Sequence, residues 1–410
     1  MFFSENIFIM YNMYIIIVRI VRRIMIMLIR NGRIHDGKGK IFSADIRIKD
    51  GKIEKIAEKL KQNKNEEVID AKGLEVFPGF IQTLSSWGIN GSMTEIRPSS
   101  QDNDELSDPI TPQLDVKYAF NGRAATVQQL GAFGLTTIGV TPTDNNLFGG
   151  TMAVFEVDGL NPFEMCLKDQ VGMKASVRNS LKNAYGRRNV APLSKMWIFE
   201  QFAEQLRKAS EYKVEKGKDR DMKMEALQKV VKKKLPLFVS VDTKQDALHV
   251  LEILKPYKIK PVICNGFEIG KDDTWLVDKK IPLVVRSNSM TADKTAMKLD
   301  LKGIAALAEK GLTVALSGVD SSWQIREDVL WLGICMMRIM KDETKVLPMM
   351  TSNPAKLLSV DDLTGSIEEG KRADIVLWDQ NPLESYQAKI MKTFMGGKVI
   401  YKEGDELRCM

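Results

Sequence analysis

Histidine is the scarcest of the chemically useful residues in this 410-residue chain, which has only His35 and His249. Zinc and other first-row metal hydrolase centres draw on several neutral imidazoles per site. Two histidines so far apart cannot furnish that set. Both read as structural, His35 in a hairpin and His249 on a helix. Cysteine is sparse too: Cys166, Cys264, Cys335 and Cys409 are widely separated, with no C-x-x-C pair. They read as reduced, mostly core thiols of a reducing compartment. Ser85, Ser86 and Ser240 lack a partner His, so a Ser–His nucleophile is not supported.

Long apolar runs are missing as well. Ile7 to Val18 is 12 residues long and interrupted by Asn12, too short for a hydrocarbon core of ~30 Å. Arg19, Arg22 and Arg23 follow the run instead of preceding it, and no A-x-A-like site comes after, unlike a secretory signal. Residues 1–27 therefore read as an apolar, basic N-terminal extension. It is either an over-extended translation start or a membrane-surface anchor, and the chain as a whole is placed in the cytoplasm. The net charge of +7 is concentrated in two places. Leu206 to Lys234 carries eleven Lys/Arg against five Asp/Glu, and residues 1–27 carry three Arg against Glu5. Without interleaved aromatics or a nucleic-acid module, the basic stretch reads as a solvated helix face and no nucleic-acid partner is expected.

What is present is an ordered alternation. Leu28 to Glu58 holds short β-branched runs separated by Asn31-Gly32, Asp36-Gly37 and Asp50-Gly51, which are hairpin signals. MGGKVIYKEG, from Met395 to Gly404, reads as a final hairpin. The two chain ends, 28–74 and 364–405, are expected to pair as one composite β-sandwich. Between them, across 75–363, strand-like runs at Leu135–Thr141, Leu235–Val241, Lys260–Cys264, Ile281–Val285 and Leu312–Ser317 alternate with helical spacing at Ala247–Leu254, Leu301–Lys310 and Ile325–Lys341. Val190 to Lys234 reads as an inserted helical pair. Repeated βα units of this length predict an α/β protein built on a (β/α)8 TIM-like barrel, with its chemistry at the C-terminal ends of the strands.

The stretch Pro78 to Gly88, PGFIQTLSSWG, is an apolar run broken by Pro-Gly and ending in polar residues. It resembles the first barrel strand of the amidohydrolase superfamily, where PGFI-D-x-H-x-H carries two metal-binding His. Thr136-Thr137, after Gly131 and Gly134, resembles that superfamily's G-[VL]-T-T strand. The segment NPAKLLSVDDLTGSIEEGKRADIVLWDQNPLE, from Asn353 to Glu384, is similar to the closing segment of its imidazolonepropionase-like branch. The resemblance implies hydrolysis of non-peptide carbon–nitrogen bonds by a hydroxide on zinc or another divalent metal. It also implies where the ligands should be. The Asp and two His of the first strand fall on Gln82, Leu84 and Ser86. The H-x-H of the fifth strand falls on Ser240 and Asp242, the sixth-strand His on Asn265, and the eighth-strand Asp on Asp320 or a shifted Val319. None of the His positions holds a His. By the same resemblance Lys174, Asn179 and Tyr185, with Lys182 and Gly186 nearby, would line the substrate side.

The survivors keep two readings. Asp242 and Asp320 form a catalytic carboxylate pair, doing acid–base work or holding Mg²⁺ or Ca²⁺ through oxygen, or they are N-caps of the helices that follow. Glu156 and Glu268 carry the same ambiguity. The sequence thus defines an amidohydrolase-like protein with a degenerate metal centre and no expected cofactor, catalytically inactive on its own residues. The alternatives are a binding or scaffold subunit that pairs with an active amidohydrolase-like chain, as a homo- or hetero-oligomer, and a hydrolase with an atypical carboxylate-based site. A small-molecule ligand is expected around Leu84, Ser86, Ser240, Asp242, Asn265 and Asp320.

Overall fold

The computed structural model describes residues 26–90, 102–214, 217, 219–286, 299–318 and 328–406. Its first sheet joins the two ends of the chain. Strands β1 (Ile26–His35), β2 (Ile41–Lys49), β3 (Lys52–Ala57), β4 (Glu67–Asp70) and β5 (Glu75–Pro78) come from the start, and β14 (Ile375–Trp378), β15 (Ile390–Met395) and β16 (Lys398–Lys402) from the end. The seam is β5, which pairs parallel with β1 and antiparallel with β14. Of the three expected hairpin signals, Asp50-Gly51 is the two-residue turn between β2 and β3, both residues having positive φ as a tight hairpin requires. Asp36-Gly37 opens the β1–β2 loop. Asn31-Gly32 is no hairpin: it is a register shift inside β1. Val76 requires the glycine there, because a Cβ on Gly32 would lie 2.6 Å from its Cγ2.

The chain crosses from this sheet to the barrel at Gly79. A Cβ there would meet the Thr136 Oγ1 at 2.1 Å, so the Pro-Gly step of the first strand and the Thr-Thr of the second are one packing contact. The barrel runs β6 (Phe80–Ser85), β7 (Leu135–Val140), β8 (Phe148–Glu156), β9 (Cys166–Ser176), β10 (Leu237–Ser240), β11 (Pro261–Asn265), β12 (Leu283–Arg286) and β13 (Val314–Ser317). One strand departs from the repeat. β8 is antiparallel to both β7 and β9, and its short connections need no crossover helix. The remaining ladders are parallel. The inserted pair is present as Lys195–Glu211 and Met222–Val231.

Alternation along the strands sorts the core. Leu237 and Val239, Leu283 and Val285, and Val314 and Leu316 pack in the large cluster with the surrounding helices. Phe238, Val262, Val284 and Ala315 meet Ile81, Leu84, Met152 and Val154 in a separate cluster that fills the barrel. Between β13 and β6 side chains make the joint. The Gln82 carboxamide accepts from Gly318 N at 2.8 Å and donates to the carbonyls of Gly318 and Leu84. Thr83 Oγ1 donates to Leu316 O at 3.1 Å. Among the described residues no helix is long and apolar enough to cross a membrane; residues 1–25, the greater part of the N-terminal extension, lie outside them.

Candidate functional site

Two residues beyond each interior apolar side chain, the same face of the strand reaches the C-terminal end of the barrel. Phe238 is followed by Ser240, Val262 by Cys264, Val284 by Arg286, Ala315 by Ser317, and Gly172 by Lys174. This layer is polar and buried. Lys174 is 1% exposed, and its ammonium donates to Asp144 and to Ser240 Oγ. Asp144 comes from the β7–β8 loop and is the hub. Its second oxygen accepts from Arg178 at 2.8 Å and from Arg286 at 3.3 Å. Burial pushes the Asp144 carboxyl up, yet Lys174, Arg178 and Arg286 together hold it well below the usual carboxylate range. Burial would lower the guanidinium of Arg178, but Asp144 and Asp242 raise it further above its already high range. Burial pushes the neighbouring Cys264 thiol up to about 12, which leaves it inert as a nucleophile.

Asp242 joins this network through Arg178, whose Nε donates to it at 2.7 Å. Its other oxygen accepts from the backbone N–H of Asn179 at 2.6 Å. It does not cap the helix Lys244–Leu254: Thr243 is the N-cap, accepting from Asp246 N. Glu268 supplies a second acceptor at that helix start, from Lys244 N at 3.1 Å. Asn265, at the end of the sixth barrel strand, is buried with φ 90° and donates to Val241 O at 3.1 Å, bracing the neighbouring strand. Leu84 is fully buried in the barrel-filling cluster, and Ser86 hydrogen-bonds to Asn90. Asp320 and Val319 lie outside the described residues.

The structure therefore brings Lys174, Ser240 and Asp242 into one network and turns Leu84 and Asn265 to packing and bracing. Asn179 contributes its backbone, while its side chain is exposed. Tyr185 donates to Asn146 Oδ1 at 2.7 Å, and burial raises its phenol. Glu156 pairs with Arg372 of the chain-end sheet. His35 and His249 are structural, as expected: His35 is bound by two carboxylates away from the barrel mouth, and His249 packs on Phe199. Sequence reasoning missed Asp144, Arg178 and Arg286. Asp144 sits in TPTDNN beside no recognisable pattern, and its partners come from the ends of two other strands, β9 and β12.

The described residues at the barrel mouth do not fit a divalent metal. Among the described residues no three His, Cys, Asp or Glu side chains come together as a metal-holding group. The two carboxylates of this network among the described residues, Asp144 and Asp242, are occupied by cations or an N–H donor, and three fixed positive side chains would repel a metal ion.

The Amidohydrolase family model matches residues 305–401. An amidohydrolase structure from Thermotoga maritima MSB8 is 27% identical, covering 92% of this chain and 100% of that one with a TM-score of 0.84. A β-aspartyl dipeptidase from Fervidobacterium islandicum AW-1, in complex with a β-Asp-Leu dipeptide, is 15% identical at a TM-score of 0.55, covering 93% of this chain and 98% of its own. A prolidase complexed with N-methylphosphonate-L-proline is 13% identical at 0.59, covering 92% and 100%. No curated protein matches the chain. The family model over the C-terminal part of the chain and the fold along its length both liken this chain to the amidohydrolase superfamily.

Proposed function

We propose that this chain keeps the amidohydrolase barrel as a binding or scaffold subunit and does not hydrolyse carbon–nitrogen bonds through a metal hydroxide. One observation carries the reading: the barrel mouth, where a metal-bound hydroxide would act, is filled by the ammonium of Lys174 locked between Asp144 and Ser240. Ser240 is accepting that hydrogen bond, and Lys174 faces a carboxylate held ionised, so the pair is not arranged as a serine nucleophile with a lysine base. Asp242 has both oxygens engaged, which disfavours the alternative of a carboxylate-based hydrolytic centre with Asp320. The closing segment from Asn353 to Glu384 supports the imidazolonepropionase-like branch, and a cytoplasmic partner of amidohydrolase-like fold follows from the scaffold reading.

The test is elemental mass spectrometry on full-length protein purified without chelators, with a hydrolysis screen over cyclic amides, ureas and N-acyl amino acids. We expect metal far below stoichiometry and no turnover above buffer. Stoichiometric divalent metal with turnover that Asp242→Asn abolishes would overturn the proposal.

A further inference from the structure

The surface is hollowed along β16, the last strand of the chain-end sheet. A cavity of ≈ 580 Å³ is walled there by Ile400, Tyr401 and, from the β8–β9 connection, Leu160. A second, of ≈ 300 Å³, shares Ala132 and Tyr401 with it and is walled by Trp331, Tyr386 and Ile390. Large apolar side chains are left in solvent around both: Leu160 is 73% exposed, Tyr386 69% and Trp331 46%. Apolar surface gathered round a hollow in this way marks a place where something docks. The charged members of the lining are mostly acidic. Asp158, Asp405 and Glu406 stand against Arg123 in the first cavity, and Glu403 against Lys389 in the second. Lys398 and Lys402 of β16 line neither.

The described chain begins close to this groove. Ile26, at the start of β1, pairs with Lys49. The Asp50-Gly51 turn beyond Lys49 sits on Gly396-Gly397: a Cβ on Gly51 would lie 2.8 Å from Gly396 O, and one on Gly397 2.9 Å from Ile48 Cγ2. β16 starts at the next residue, Lys398. Ile400, in the wall of the larger cavity, follows Gly397 by about 10 Å of strand. We propose that the groove is covered by the chain's own N-terminal segment, with the apolar run Ile7–Val18 against its aliphatic and aromatic walls and Arg19, Arg22 and Arg23 against its acidic members. The two are complementary in charge as well as in apolar character, a basic segment facing a lining with more carboxylates than cations. The reach is sufficient, since residues 19–25 extend to ~25 Å. A segment tethered this near acts at an effective concentration on the order of mM, so weak contacts hold it where a second copy or a membrane would have to compete from solution. None of the side chains at the barrel mouth lines the groove, so the inference stands apart from the proposed function.

Hydrogen–deuterium exchange of the full-length protein, read by mass spectrometry, tests this. Amides of Ile7–Val18 are expected to exchange at least about tenfold more slowly than an unstructured chain of that sequence, to the same degree at every protein concentration. Leu160→Asp and Trp331→Ala, at exposed positions of the groove, and Ile16→Asp on the segment are each expected to remove that protection, while peptides from β10 to β13 stay as protected as in the wild type. Unstructured-chain rates for Ile7–Val18 in the wild type overturn the proposal. So does protection that survives all three substitutions. Protection that grows with protein concentration overturns it in favour of a second copy, and protection that arises only with anionic phospholipid vesicles overturns it in favour of a membrane surface.

Discussion

Gln82 shows how one side chain can suit a structural task that a carboxylate in its place could not perform. Closing the joint between β6 and β13 requires an acceptor for Gly318 N and donors for two carbonyls, and a carboxamide has both. A carboxylate only accepts. Gln82→Glu is therefore expected to lower unfolding free energy by about 1–3 kcal/mol, by setting an unpaired charge against two buried carbonyls, measured by urea denaturation. Asp144 is the more exacting case. Asp144→Asn leaves the buried ammonium of Lys174 without its counter-ion and is expected to cost about 3–5 kcal/mol at pH 7. The pH dependence follows from the direction of the shift. The folded carboxyl lies below its unfolded value of about 3.9, so its contribution is complete above that pH and is lost as pH falls through the lower, folded pKa. The gap between wild type and Asp144→Asn is expected to narrow only below about pH 4, as denaturation curves at a series of acidic pH values would show.

At the scale of elements, two stretches that resemble superfamily motifs prove to be one contact. The Pro-Gly step and the Thr-Thr strand touch where Gly79 lies under Thr136. Gly79→Ala is expected to destabilise the protein by about 1–3 kcal/mol through overpacking. Thr136→Gly combined with it should recover part of that loss, and the coupling energy from the double-mutant cycle is the measurement. Much of this level was legible in the sequence: the Asp50-Gly51 turn, the final hairpin, the inserted helical pair and most parallel strands. The reversed strand β8 was not. Hairpin strands inside a barrel lack the helical spacing that marks a crossover, and Phe148–Glu156 is buried along nearly its whole length, so polar alternation is missing too. The site was half legible. The scarcity of imidazoles is visible residue by residue, but the polar network at the barrel mouth joins Asp144, Lys174, Ser240 and Arg286, whose spacing in sequence carries no period.

For the whole molecule, His35 ties the two cores together. Its Nε2 lies 2.5 Å from Glu75 in the chain-end sheet, its Nδ1 faces Glu343 beside the barrel, and its ring stacks on Phe77. Asn381 also donates to Glu343, at 2.6 Å. Each ring nitrogen faces a carboxylate, so the imidazole is clamped between the chain-end sheet and the barrel. His35→Gln is expected to cost roughly 3 kcal/mol, since a carboxylate is left buried with one partner fewer. Calorimetry should show the unfolding endotherm broadening towards two transitions as the sheet and barrel uncouple.

The seam at β5 also fixes the order in which the molecule can be completed. One edge of that strand is paired by β1 early in the chain; the other waits for β14, some three hundred residues later. During synthesis Val76 and Phe77 lie on an open sheet edge until Ile375–Trp378 has left the ribosome. Unpaired apolar edges of that kind are where chains pair with the wrong neighbour. The barrel is thus made while its anchoring sheet is still unfinished, and the last tenth of the polypeptide decides whether the first fifth is protected.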